Sequence, residues 1–123
     1  MATTGGVVVV QIFGVKSSQA TRAAERFFKE RRAKIQIVDL KTKPMAVGEI
    51  KRFKDKFGIA GLVDREGKAW LDAGLAYLKV TDAELMGRIE NQPGLLKLPL
   101  VRGGKVLSVG QDEAAWKAML GYI

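Results

Sequence analysis

The sequence predicts an α/β domain in which a βαβ unit is followed by a helical stretch and then by a ββα unit. Three observations carry this reading. A β-branched run, Val7-Val8-Val9-Val10, continues through Gln11-Ile12-Phe13 into a glycine-led turn and a stretch of helical period, the layout of a βα unit. A second apolar run, Lys34 to Leu40, follows that helix. Near the end, Gly103-Gly104 lies between Leu98–Val101 and Val106–Val109, which reads as a hairpin closed by a two-residue turn.

Taken in order, Met1 to Gly6 is expected to be a loose tail. Val7 to Phe13 hardly alternates, so it reads as a strand buried on both faces. After the turn Gly14-Val15-Lys16-Ser17-Ser18, a helix runs from Gln19 to about Glu30. Ala20, Ala23, Ala24, Phe27 and Phe28 form its apolar stripe, and Arg22, Glu25, Arg26, Lys29 and Glu30 its polar face. Lys34 to Leu40 is the second strand, with Ile35, Ile37 and Val38 as its apolar content. A helix between two strands implies a right-handed parallel crossover.

Lys41 to Pro44 reads as a loop, and Ala46 to Phe57 as a helix with Val47, Ile50, Phe53 and Phe57 on one face. Gly58 supplies its C-terminal stop. Ile59 to Leu78 is irregular and partly helical, with a short helical turn at Leu62-Val63 and with Trp70 and Leu71 as anchors. Thr81 followed by Glu84 is a capping box for a helix to Asn91, its buried side formed by Leu85, Ile89 and Met86. Pro93-Gly94 stops it. The hairpin follows, and a last helix, Gln111 to Leu120, packs Ala115, Trp116, Met119 and Leu120.

At 123 residues, 47% of them hydrophobic, the chain suits one domain, 7–120, with a helical insertion at about 45–92. No apolar run approaches the ~20 residues that cross a bilayer. The first residues lack the pattern of a secretory signal, so the cytoplasm is the expected compartment and no membrane partner is expected. The net charge of +8 permits contact with nucleic acid or with an acidic protein surface, and equally fits solvated helix faces. Lysines and arginines are interleaved with acids, without a tight basic cluster or a groove-reading element, so direct binding of DNA or RNA is not expected.

Two absences bound the chemistry. There is no cysteine and no histidine. Thiol redox chemistry, disulfides and thiolate metal sites are excluded, as are a histidine base and histidine metal ligands. No metal or cofactor is expected. The feature left for a site is the start of the first helix, whose first N–H groups have no intrahelical partner and carry partial positive charge. Lys16, Ser17, Ser18 and Arg22 surround it and form a candidate site for a phosphate or carboxylate. Lys16 is also a candidate base for an enzyme of some other kind.

The order of elements, together with Ile12-Phe13-Gly14, Thr21-Arg22-Ala23-Ala24 with Phe27-Phe28, Ile37-Val38-Asp39-Leu40, Leu62 to Gly67 and Glu90 to Val101, resembles the arsenate reductase family and its Spx branch of RNA-polymerase-binding regulators. The resemblance covers about Val7 to Leu120, and Asn91-Gln92-Pro93 followed by Pro99 is its most specific part. It implies a thioredoxin-like fold: one four-stranded mixed sheet, βαβ then ββα, with an all-helical insertion between the halves. It places Ser18 where the family carries its nucleophilic cysteine, and Thr21 where redox-active relatives carry a second one. Arg22 matches a basic residue common next to it. Pro99 matches the proline that thioredoxin folds hold in cis beside the site. Leu98 and about Gly110 stand where the reductases have arginines that grip the oxyanion. Arg65 lies close to a third such arginine, although Asp64 is the better match, and Arg65 joins Thr21 among the anion-binding candidates.

A serine does not replace the thiol. Its alkoxide is not accessible near neutral pH without a base, and it forms no disulfide with a reductant. Ser18 is expected to cap the helix. The expected function is therefore that of a family member without the redox cysteine, acting as a binding or regulatory protein for a protein partner or a small oxyanion. Two alternatives stand beside it. One is an arsenate-reductase-type oxidoreductase seen as a Cys-to-Ser form; the other is a transcription regulator that binds RNA polymerase as Spx does.

Overall fold

The computed structural model describes residues 9–74 and 80–121. The expected tail over Met1–Gly6, the first two valines of the opening run and the end of the irregular stretch, residues 75–78, lie outside the described residues. In chain order the elements are β1 (Val10–Gly14), α1 (Gln19–Glu30), β2 (Ile35–Asp39), α2 (Val47–Phe57), α3 (Ile59–Leu62), α4 (Lys68–Asp72) and α5 (Asp82–Asn91). A 3-10 turn (Pro93–Leu95), β3 (Leu100–Gly103), β4 (Val106–Val109) and α6 (Glu113–Leu120) follow. They fall into two units. One takes the chain up to Asp39 and from Leu98 onward; the other is Leu40–Lys97.

The first unit holds the expected mixed four-stranded sheet, in the order β2-β1-β3-β4. β1 and β2 are parallel, while β3 is antiparallel to both β1 and β4. α1 forms as the spacing predicts, because its sequence has neither glycine nor proline inside and Ser18 caps its start. Its end is less ordinary. Arg32 N–H donates to Lys29 C=O and Ala33 N–H to Phe28 C=O, both at 3.0 Å, the paired bonds of a Schellman motif. The residue in the left-handed position of that motif is Arg32, at φ 57°, where glycine is the usual occupant.

One face of the sheet carries the core. Val10, Ile12 and Val101 pack with Ala24, Phe27 and Phe28 of α1 and with Trp116 and Met119 of α6. The rings of Phe27 and Phe28 meet edge to face at 5.1 Å, and Trp116 lies 5.4 Å from Phe27 and 6.1 Å from Phe28. Each such large apolar side chain contributes roughly 1.5–3 kcal/mol on burial. Trp116 Nε1 donates to Ser108 Oγ at 3.2 Å, so these two buried polar atoms satisfy each other.

Several expectations shift by a residue or two, each for a packing reason. β1 begins at Val10, and Val9 is exposed before it. Ile37 in β2 is 41% exposed because β2 is an edge strand. Gly103 is in β3, paired with Val106, and the turn is Gly104-Lys105. Met119 packs on Gly103 so closely that a Cβ there would lie 2.9 Å from it. Gly104 alone takes a positive φ, 60°, which fits a type II′ turn. α6 starts at Glu113 because Asp112 Oδ1 accepts from Ala115 N–H.

In the second unit α2 buries Ile50 and Phe53, whereas Val47 and Phe57 at its two ends are exposed. Gly58, at φ 74°, ends it and donates to Lys54 C=O. Leu62 is helical, but Val63 is not. Val63 is extended and bridges Leu96, between bonds from Asp64 N–H to Leu95 C=O and from Lys97 N–H to Leu62 C=O. Trp70 is buried while Leu71 is 59% exposed. Adjacent helical side chains point about 100° apart, and α4 turns Trp70 rather than Leu71 inward. Thr81 caps the helix as expected, although the Glu84 side chain meets the Thr81 hydroxyl rather than its backbone N–H: Thr81 Oγ1 accepts from Glu84 N–H and donates to Glu84 Oε1, both at 3.2 Å, and Leu85 and Ile89 are buried behind it. Among the described residues no helix is long and apolar enough to cross a membrane.

Candidate active-site region at the amino end of the first helix

β1 ends at Gly14, and Val15 is buried, so the chain leaves the core only at Lys16 and Ser17, which are exposed. Ser18 is half-buried and extended, at φ −78° and ψ 119°, the geometry of an N-cap. Its N–H donates to Val15 C=O at 3.0 Å, closing the turn. Its Oγ accepts from Thr21 N–H at 3.2 Å, and its C=O accepts from Arg22 N–H at 3.1 Å. Of the four N–H groups that a helix start leaves without an intrahelical partner, these bonds account for Ser18 and Thr21. Those of Gln19 and Ala20 remain. No acidic side chain lies in the first turn to neutralise them. Arg22 is exposed and donates from Nη1 to Lys16 C=O at 2.8 Å, which ties the loop to the helix and holds a fixed positive charge at its start.

Thr21 belongs to the core side. It is 5% exposed, and its Oγ1 has no hydrogen-bond partner. It lies against the backbone of Gly14, where an added Cβ would come within 2.4 Å of Oγ1 and 2.6 Å of Cγ2. Gly14 thus sets how closely α1 approaches the end of β1. Sequence reasoning placed Gly14 as a turn residue and within the family-like stretch Ile12-Phe13-Gly14, without a packing role. The available signal was a glycine closing a strand just before a capped helix.

The Leu98–Pro99 peptide is cis, and Pro99 is buried. Leu100 pairs with Phe13 of β1 and with Val109 of β4. The register therefore brings Leu98, Pro99 and Gly110 to the end of the sheet where β1 enters the Ser18 loop. Gly110 N–H donates to Pro99 C=O at 3.0 Å, with Gly110 at φ 70°.

Arg65 lies in the other unit, Leu40–Lys97. Its guanidinium sits 5.6 Å from the centre of the Trp70 ring, within the range of a cation–π contact. With Asp64, Glu66, Lys97, Ala60 and Val63 it borders a cavity of about 320 Å³. Asp64, the better match to the family position, accepts from Glu66 N–H through Oδ1, an ordinary turn contact. Among the described residues no group of side chains could hold a metal ion. The arrangement offers no thiol and no histidine; it offers a capped helix start with free N–H groups and a basic side chain.

Comparison with known proteins agrees with this fold. No curated protein sequence matches the chain. Among solved structures, the YffB protein superposes with a TM-score of 0.81 at 19% identity, over 90% of this chain and 98% of its own. An arsenate reductase from Vibrio cholerae superposes with a TM-score of 0.74 at 14% identity, over 96% of this chain and 100% of its own. An arsenate reductase related protein from Brucella melitensis gives 0.66 at 21% identity, over 92% and 95%. At these identities the likeness is one of fold, the thioredoxin-like one. The sequence model of the ArsC family matches residues 13–119, which take in Ser18, Thr21, Pro99 and both halves of the sheet. With nearly its whole length matched, the chain belongs to the ArsC family, as a member without cysteine.

Proposed function

We propose that this chain is a non-catalytic ArsC-family protein whose amino end of α1 binds a small oxyanion, in a binding or regulatory role. The observation that carries the reading is the state of Ser18. Its hydroxyl accepts from Thr21 N–H as a helix cap, and the chain has no histidine to draw a proton from it. The helix start keeps what favours an anion: the N–H groups of Gln19 and Ala20, no acid in the first turn, and Arg22 fixed beside it. Leu98 and Gly110 stand where reductase arginines are expected, so grip on the anion comes from the helix start.

Two measurements test this. Incubation with arsenate, glutathione and glutaredoxin should yield no arsenite, and turnover would end the non-catalytic reading. Titration with phosphate, sulfate and arsenate should shift the amide resonances of Gln19, Ala20 and Thr21 more than those of α6. Flat resonances there would remove the oxyanion. The Ser18→Cys variant separates this reading from that of a Cys-to-Ser form: with Leu98 and Gly110 unchanged it should still fail to reduce arsenate. The +8 charge also favours an acidic protein partner. For that second reading, in which the partner is RNA polymerase, a pull-down at moderate salt that leaves polymerase in the flow-through counts against it.

A further inference from the structure

We propose that the outer edge of β2 is a docking site for an extended acidic peptide segment of another protein, which adds there as a fifth strand. β2 has β1 on one side, and among the described residues no strand pairs with its other side. The parallel register decides which groups face outward. Val10 N–H donates to Lys34 C=O at 2.9 Å, and Val10 aligns with Ile35. Lys34, Gln36 and Val38 therefore direct their backbone groups to β1, and the N–H and C=O of Ile35 and Ile37 point away from the sheet. The pairing with β1 runs without interruption from Ile35 to Asp39. The edge thus has neither the bulge nor the proline with which proteins commonly block edge pairing.

The surroundings fix the chemistry of the occupant. Ile37 aligns with the core residue Ile12 and is 41% exposed, so an apolar side chain on an added strand would cover it. Arg31, Arg32 and Lys34 are all exposed and lead directly into the strand. Arg32 is held in the left-handed region at φ 57° although glycine would sit there without cost. A basic lead-in followed by an apolar edge complements a strand that alternates apolar and acidic residues. A second copy of the chain is disfavoured as occupant, since it brings another +8 to the same contact.

The probe is an acetylated, amidated hexapeptide of alternating valine and glutamate, with its valine–lysine counterpart as control. Amide exchange of the whole protein is followed by NMR at low salt. The glutamate peptide should slow exchange at Ile35 and Ile37 selectively, and the lysine peptide should not. Arg32→Glu combined with Lys34→Glu should weaken the effect about tenfold or more. Ile37→Pro should abolish it while the β1–β2 amides stay protected, because the lost N–H faces outward. The proposal is overturned by any of three results. These are no protection at Ile35 and Ile37 with millimolar glutamate peptide, equal protection by both peptides, or protection that grows with protein concentration alone.

Discussion

Replacing Gly14 by alanine is the substitution whose consequence the structure defines most sharply. Gly14 does not need a positive φ, so the effect is one of contact alone. The new Cβ would lie 2.4 Å from Thr21 Oγ1, 2.6 Å from Cγ2 and 3.0 Å from Cβ, well inside van der Waals contact. Thr21 sits in the first turn of α1 and is buried, so relief requires the helix start to move off the sheet. Overpacking of this kind costs about 1–3 kcal/mol, and the upper half of that range is expected because the clash is with a short β-branched side chain of few rotamers. Thr21→Ala removes the two closest atoms and leaves only the 3.0 Å approach. The double variant should therefore be more stable than the sum of the single effects predicts, by about 1–2 kcal/mol. Urea unfolding followed by far-UV circular dichroism, with unchanged m-values, measures the cycle. If the two substitutions add within about 0.5 kcal/mol, the packing of Thr21 on Gly14 is not what sets the helix approach.

Four further outcomes follow from single groups. Thr21→Val replaces an unpartnered buried hydroxyl by a methyl and should raise stability by about 1 kcal/mol, read as a higher urea midpoint. Ser18→Ala removes the acceptor for Thr21 N–H and should cost about 1 kcal/mol, with faster amide exchange at Thr21. Ser108→Ala leaves Trp116 Nε1 buried without a partner and should cost about 1–3 kcal/mol by the same denaturation assay. Arg32→Gly relieves a left-handed non-glycine residue and should gain about 0.5–1 kcal/mol, offset in part by the freer unfolded chain; a lower melting temperature would contradict it.

The elements that were legible in the sequence are those whose signal is local. α1 runs from Gln19 to Glu30 as its stripe and cap dictate, and α5 begins where Thr81 caps Glu84 N–H. The positions that misled are those where two neighbours compete for one direction. Trp70 and Leu71 are both large and apolar, and only contact with the rest of the fold decides which turns inward. Gly103 and Gly104 are equivalent as turn residues until Met119 occupies the space above Gly103. At the candidate site, Ser18 as a cap was readable from its place before the helix. The burial of Thr21 and the role of Gly14 were not, because each exists only once α1 lies on β1.

By itself the sequence determined what chemistry is absent and where the four strands and the helices α1, α2, α5 and α6 form, while Ile59 to Leu78 was legible only as partly helical, since composition and periodicity are properties of the chain taken one segment at a time. The fold brought Leu98, Pro99 and Gly110 to the end of the sheet where Ser18 stands, left β2 with an open edge, and put Arg65 in the other unit. Those facts depend on strand order and register, which join residues far apart in the chain, and no local spacing encodes them.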